Sequence, residues 1–210
     1  MSAPANQPTT PSMTFAEPTP LGLLGLAIGC AALVPIAFGW FPEPTKLPMM
    51  FKTAAWFCLL FGAGGQFLAG VMNLANKNML GGTLLTTFSF NWVFNWWTLD
   101  EVAQGHVPDP TVVLSVDVTF LVIFLVLTYA FGFFSKLLFV FMLDIDLLYV
   151  LRIARHWAEG STNATLGMGV GVATIALAGL ALYIAFALLV NPAAGRAVFP
   201  TSGPMFTPKA

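Results

Sequence analysis

Residues 17–26 read EPTPLGLLGL, and this stretch determines how the chain enters its first helix. Proline is tolerated in the first turn of a helix, and it holds the residue before it extended. Pro20 therefore predicts a helix start, because the run that follows is almost entirely apolar. Gly22, Gly25 and Gly29 lie three and four residues apart, near one face, where another backbone or a solute can come close. An ordinary membrane helix with a small-residue packing face explains the same pattern.

The composition places the chain in a lipid bilayer. Of its 210 residues, 58% are hydrophobic and only 8% are charged, whereas soluble domains carry roughly 25% charged residues. The net charge of -1 gives no electrostatic basis for binding nucleic acid. Cys30 and Cys58 lie inside apolar runs and fit small core residues, so the sequence predicts no disulfide, no metal site and no cofactor.

Six apolar segments are long enough to span a membrane, since a span needs about 20 residues. They cover residues 21–40, 49–72, 80–99, 112–134, 137–153 and 166–190. The turns between them are short, so successive helices should be antiparallel neighbours. The predicted fold is an all-α membrane protein with six transmembrane helices in one bundle over residues 17–192. A disordered N-terminal tail is predicted over 1–16, and a C-terminal tail over 193–210.

Polar side chains inside the second and third spans are candidates for contact with a solute. Gln66 carries an amide at membrane depth, and Thr83, Thr86 and Thr87 share a helical stripe that Asn91 continues one turn later. Such groups can replace water around a carboxylate. They can equally hold helices together or bond back to their own helix carbonyls, and the sequence leaves these alternatives open.

Two acidic residues interrupt the fifth span. Asp144 and Asp146 each cost about 2.5–3.5 kcal/mol if charged at the centre of a membrane helix. At i and i+2 they point roughly 200° apart, so one is expected to face a solute path and the other a neighbouring helix or subunit. They are either structural or proton-accepting groups that couple transport to pH.

Two further groups of residues are assigned no function. Trp92, Trp96 and Trp97 are predicted to form an interfacial belt. His106 and His156 fall in predicted loops, and no catalytic triad or metal-ligand cluster is visible, so the chain is not expected to be an enzyme.

Four segments of the chain resemble the acetate uptake transporter family, also called succinate–acetate permeases. The family signature Asn-Pro-Ala-Pro-Leu-Gly-Leu is matched by Pro18 and Pro20–Leu23, with Glu17 and Thr19 differing. The other matches are Gln66, Ala69 and Gly70 in the second span, Asn78, Gly81 and Thr83 at the start of the third, and the ending at residues 195–200, GRAVFP. The matches touch both ends and the middle of the chain.

The resemblance implies a six-helix protomer that assembles as a homo-hexamer in the cell (inner) membrane, with both termini cytoplasmic. It implies a narrow path for acetate, and in some members succinate, with an apolar constriction at Leu26, Phe88 and Ile145. Relatives usually have Phe in place of Leu26, which predicts a wider gate in this chain.

The function predicted from the sequence is therefore a membrane channel or transporter for acetate and other short carboxylates such as succinate. Proton symport is a hypothesis, in which protonated Asp144 or Asp146 donates to the substrate carboxylate. The alternatives are a channel for small neutral solutes such as amides, urea or ammonia, and a purely structural subunit of an assembly.

Overall fold

The computed structural model describes residues 14–40 and 43–207, and within these ranges the chain is helical with no β-strand. A π-helical segment, Cys58–Gly65, joins the second helix to the third, so Pro44–Ala75 is one continuous helix. The helices are α1 (Thr19–Ala37), α2 (Leu47–Phe57), α3 (Gln66–Ala75), α4 (Met79–Ala103), α5 (Pro110–Phe131), α6 (Lys136–Arg155) and α7 (Gly160–Ala194). The prediction of an all-α membrane protein with six helices in one bundle is confirmed.

The helices begin and end where local chemistry dictates. The side chains of Asn78, Asp109 and Ser135 each accept a backbone N–H at the starts of α4, α5 and α6, at 2.9–3.1 Å. These bonds satisfy N–H groups that have no partner inside the helix. The last helix ends just before Gly195, whose φ of +62° is the left-handed geometry that favours glycine.

The π-helical segment was not predicted, and it lies where the glycines of α1 meet the second span. A Cβ atom placed on Gly25 would lie 3.3 Å from the Cα atom of Gly65, so the two backbones touch. The close approach predicted for the glycine face of α1 is therefore an approach of α1 to this segment. Because π-helical turns are frequent at functional sites, Gln66, the residue that follows the segment, is a candidate functional residue.

The six helical rods form a closed ring. In ring order, α1 packs on α7, α7 on α6, and α6 on α5, while α4 packs on the continuous helix Pro44–Ala75, which returns to α1. The ring closes where Phe88 of α4 meets Phe124 of α5, with ring centroids 5.3 Å apart. Hydrogen bonds from Phe15 to Asn76 and from Lys136 to the Gly203 carbonyl, both 2.9 Å, hold residues near both termini at the same end of the bundle. We call this the termini end.

Four of the rods are long and apolar enough to cross a membrane by length and composition: α1, Pro44–Ala75, α5 and α7. The helices α4 and α6 have 25 and 20 residues, which is also enough length, but they are more polar. Polar helices within a membrane bundle normally face its interior or a water-filled cavity. The more polar pair is therefore expected to face the interior of the bundle.

The C-terminal tail packs against the bundle. Asn191 accepts from the backbone N–H groups of Val198 and Phe199 at 2.9 Å and donates to the Phe199 carbonyl at 2.8 Å. Tyr183 donates to the carbonyl of Pro200 at 2.9 Å. These bonds hold the tail against the termini end of the bundle. The disordered tail predicted over residues 1–16 falls mostly on residues 1–13, which lie outside the described residues.

Candidate functional site

A cavity of about 530 Å³ enters the bundle from the termini end. Its mouth carries polar side chains from several segments, including Thr19, Asn78, Ser135 and, from the C-terminal tail, Ser202. Deeper in, its wall is apolar and includes Leu23, Leu26, Phe88, Ile145 and Ile184. A polar mouth above an apolar floor is the general form of a small-solute binding pocket.

Gln66 is the polar exception in the deep wall of this first cavity. Its side chain is fully buried, and neither its amide nitrogen nor its amide oxygen has a hydrogen-bond partner within the described part of the chain. Leaving a buried amide unpaired costs about 1–3 kcal/mol. A solute or water in the cavity would supply the missing partner, as the sequence interpretation of Gln66 requires.

A second cavity, of about 260 Å³, lies on the side of the bundle away from the termini. It is lined by the C-terminal parts of α1 and α6, the middle of α4, and the first half of α7. Its polar lining residues include Asn91, Asn95, Tyr149, Arg152 and Arg155. Since a water molecule occupies about 30 Å³ in the liquid, this volume accommodates a small hydrated anion.

Phe88 and Ile145 line both cavities, so these two side chains separate the first cavity from the second. Leu26 lines the first cavity beside them, and all three are buried, with at most 5% of their surface exposed. Phe88 is held edge-on against Phe124 and against Trp92, at centroid distances of 5.3 and 6.1 Å. The residues named as a constriction from the family resemblance thus lie together in an apolar septum at the centre of the bundle.

The hydroxyl stripe on α4 lies outside the walls of both cavities, so its contact with a solute stays a prediction. Thr83 lies on the exposed surface. Thr86 donates to the Gly82 carbonyl at 2.7 Å and packs against Gly70 of α3, where a Cβ would come 2.7 Å from the Thr86 nitrogen. Thr87 is half-buried and outside both cavity walls. The face of α4 that bears Thr83 and Thr86 is thus an outer and packing face, whereas Asn91 does line the second cavity.

Asp144 and Asp146 lie on either side of Ile145, and neither lines a cavity. Asp146 is buried and its Oδ2 accepts a 2.7 Å hydrogen bond from Thr128 of α5. Asp144 is half-buried, and its Oδ2 has no partner among the described residues. Ile145 occupies the inward position with both acidic residues on its flanks, and the expectation that one of the two faces a solute path stays a prediction.

Sequence reasoning missed an ion pair between two helices. Arg152 Nη2 lies 2.9 Å from Asp117 Oδ1, and the Asp117 side chain is only 7% exposed. The two residues lie equally far from the turn at Phe134–Ser135, in opposite directions along the chain. Residues so placed meet in an antiparallel helical hairpin, so their symmetry about the turn was the available signal.

The predicted interfacial belt of tryptophans is also wrong at its first member. Trp92 is only 2% exposed and lines the second cavity, while Trp97 is 42% exposed. A Cβ on Gly62 would come within 2.5 Å of the Trp92 ring, and one on Gly29 within 3.0 Å. Two glycines from two other helices therefore form the slot that buries this indole.

The protein thus has a ring of six helices with two cavities, which enter from opposite ends and share an apolar septum. This arrangement defines its class, an α-helical membrane protein with a channel-like fold. No protein-family model and no curated protein matches the sequence. Among solved structures, the chain is similar to the bacterial acetate channel SatP, with a TM-score of 0.77 and 20% sequence identity over 90% of this chain and 100% of that one. This similarity shows that the two proteins share a fold.

Proposed function

We propose that this protein is a membrane channel or transporter for acetate and other short carboxylates, including succinate. The observation that carries the proposal is the pair of cavities at opposite ends of the bundle, which Phe88 and Ile145 line in common. The shared fold with an acetate channel and the four matching sequence segments support the choice of substrate. We place the protein in the cell (inner) membrane with cytoplasmic termini, and as a homo-hexamer, on the family resemblance.

The physical need for such a path is simple. A carboxylic acid with a pKa near that of model Glu, about 4.3, is protonated to only about one part in 500 at pH 7, and its anion crosses lipid poorly. A short dry septum flanked by hydrogen-bond donors lets a small solute shed its water briefly while it excludes larger hydrated ones. Gln66 offers two such donors next to the septum. Leu26, smaller than the Phe of relatives, leaves more room beside it for a longer acid such as succinate.

The proposal is tested by uptake of radiolabelled acetate into liposomes that contain only this protein. We expect acetate uptake that excess acetate or succinate inhibits and acetamide does not. Inhibition by acetamide, with acetamide itself entering, would replace the proposal with a channel for neutral solutes. An absence of any flux would favour a structural subunit.

Gln66→Leu separates transport from folding in the same assay. The substitution removes the two donors, and we expect acetate uptake to fall about tenfold, the loss of one charge-assisted hydrogen bond. Because the buried amide has no protein partner, Leu should leave thermal stability unchanged or raise it. Gln104→Leu is the matched control, since Gln104 lies in the exposed loop after α4. Equal uptake by both variants would remove Gln66 from the path.

We further propose that transport is proton-coupled through Asp144 or Asp146. Both carboxylates flank Ile145 of the septum, and Thr128 holds one of them. Protonation of either carboxylate would remove a negative charge from beside Ile145, so uptake of an anion should rise as the external pH falls. Asp144→Asn and Asp146→Asn are expected to flatten this pH dependence in proteoliposomes with and without an imposed proton gradient. If the profile survives both substitutions, coupling does not involve these residues.

A further inference from the structure

The C-terminal tail crosses the mouth of the first cavity. Thr201 and Ser202 line this cavity, and the backbone on either side of them is held on two different parts of the bundle. On one side, Asn191 and Tyr183 of α7 bond the backbone just before Thr201. On the other side, the chain lies on the turn between α5 and α6. We call residues 199–206 the strap.

The last residues of the strap fix it to this turn. The N–H groups of Met205 and Phe206 both donate to the Gly132 carbonyl, at 2.8 and 3.0 Å. The Gly203 carbonyl accepts from the Lys136 N–H at 2.9 Å. The strap thereby satisfies backbone groups at the end of α5 and the start of α6 that have no partner inside their own helices.

Phe206 anchors the strap through its aromatic ring. The ring lies directly over Gly132, where a Cβ atom would collide with it. Its centroid is 5.3–5.5 Å from the ring centroids of Tyr129, Phe133 and Phe139. Aromatic pairs at such distances add stabilisation beyond the area that they bury. The missing side chain at Gly132 is therefore what lets the ring dock.

The rest of the strap has little to hold it in place. Residues 201–205 are exposed and outside any helix, and a Cβ on Gly203 would meet nothing within 4 Å. Segments with few buried apolar contacts and no regular structure open at low cost in free energy. When the Phe206 ring leaves Gly132, this part of the chain can swing away from the turn, while Asn191 keeps its other end on α7.

We propose that the strap is a gate at the termini end of the bundle, closed when the Phe206 ring docks on Gly132 and open when it leaves. In the closed state, Thr201 and Ser202 narrow the mouth of the first cavity. The strap then controls entry to the cavity, and the septum controls passage beyond it. This inference goes beyond the proposed function, because access to the cavity does not depend on which solute enters.

The experiment measures how fast a thiol inside the first cavity is labelled. Leu84 lines this cavity and is 7% exposed, so Leu84→Cys in the purified full-length protein places a thiol behind the strap. A small anionic methanethiosulfonate reagent labels the thiol, and mass spectrometry reads each site separately. The native Cys30 lines the second cavity and reports any general loosening of the bundle.

Phe206→Ala and Gly132→Ala release the strap from its two sides. The first removes the ring, and the second places a methyl group where the ring lies. We expect each to accelerate labelling at residue 84 about tenfold, because aromatic pairs that favour the closed state are lost. Labelling of Cys30 should not change. Met205→Ala is the matched control, since its side chain is 50% exposed and its backbone hydrogen bond remains.

Phe206 lies outside every helix described, so Phe206→Ala should fold even if Gly132→Ala does not. Labelling at residue 84 that is equally fast with and without Phe206→Ala overturns the gate, as does an equal acceleration at Cys30. Faster labelling at residue 84 alone, in liposomes that show no acetate flux, supports the gate and rejects the proposed function. Acetate flux that is present while labelling ignores the strap variants does the reverse.

Discussion

Removing the Phe88 ring should open the septum between the two cavities. Phe88→Ala deletes a side chain that lines both of them, and the space it leaves connects to each. Water entering there lets a crossing carboxylate keep one more hydrogen bond, which is worth about 1.5–3 kcal/mol for a charged group. Since 1.4 kcal/mol is a factor of ten, we expect succinate flux to rise about tenfold or more. Acetate flux should rise less, because under the proposed function the smaller anion already passes.

Phe124→Ala is the matched control for this prediction. Phe124 is fully buried and packs edge-on against Phe88, but it lines neither cavity. A Phe→Ala change in a core lowers the free energy of unfolding by about 3–5 kcal/mol, and the loss is larger where the void that the ring leaves stays empty. The void at Phe124 would be closed off, whereas the void at Phe88 would join the two cavities. We therefore expect Phe124→Ala to be the less stable variant and to retain wild-type selectivity.

The assay is the ratio of succinate to acetate uptake in liposomes that contain equal amounts of folded protein, with thermal stability measured in parallel. An unchanged ratio in Phe88→Ala would refute the assignment of Phe88 to the septum. An equal rise of the ratio in both variants would show that loosening of the bundle, rather than an opened path, governs the flux.

Two further substitutions test the packing that supports the site. Gly62→Ala should displace Trp92 and destabilise the protein in a thermal melt, because the added methyl would lie within 2.5 Å of the indole ring. The control is Gly179→Ala, which should be neutral or stabilising by up to about 1 kcal/mol, because a methyl group there would meet nothing within 4 Å. Asn191→Ala should release the C-terminal tail, because Asn191 makes three hydrogen bonds to it, and trypsin should then cleave faster after Arg196. Equal cleavage rates would show that the tail is held by other contacts.

The fold could be predicted because its rules are local. Proline and glycine at the start of α1, the caps Asn78, Asp109 and Ser135, and the length of each apolar run determine where helices begin and end. Short turns then make successive helices neighbours. The π-helical segment lies where Gly25 meets the second rod, and a contact between two helices is not contained in any local sequence pattern.

The candidate site was harder to predict because α4 carries two stripes, and periodicity alone does not say which one faces inward. The threonine stripe looked suitable for a solute, yet the cavities are lined by Leu84, Phe88, Asn91 and Asn95, which also recur at helical spacing. The choice between the stripes depends on what α3 and α5 place opposite α4. For Phe88 and Ile145, only the family resemblance indicates a position in the constriction, because an apolar residue in an apolar helix carries no signal of its own.

The two helices least suited to lipid are the ones that build the septum, and this relation links composition to function. Phe88 belongs to α4 and Ile145 to α6, the two rods that are not among the apolar candidate spans. Their polar side chains would be costly against acyl chains and need partners, which Thr128 supplies to Asp146 and the second cavity can supply to Asn91. Within each of these helices an apolar residue lies where the two cavities meet, with Asn91 following Phe88 and Asp144 and Asp146 flanking Ile145. A bundle selected for stability alone would place apolar residues along the whole of both helices, whereas the proposed path for a small anion needs polar groups on each side of one short dry step, as Gln66 and Asn91 provide.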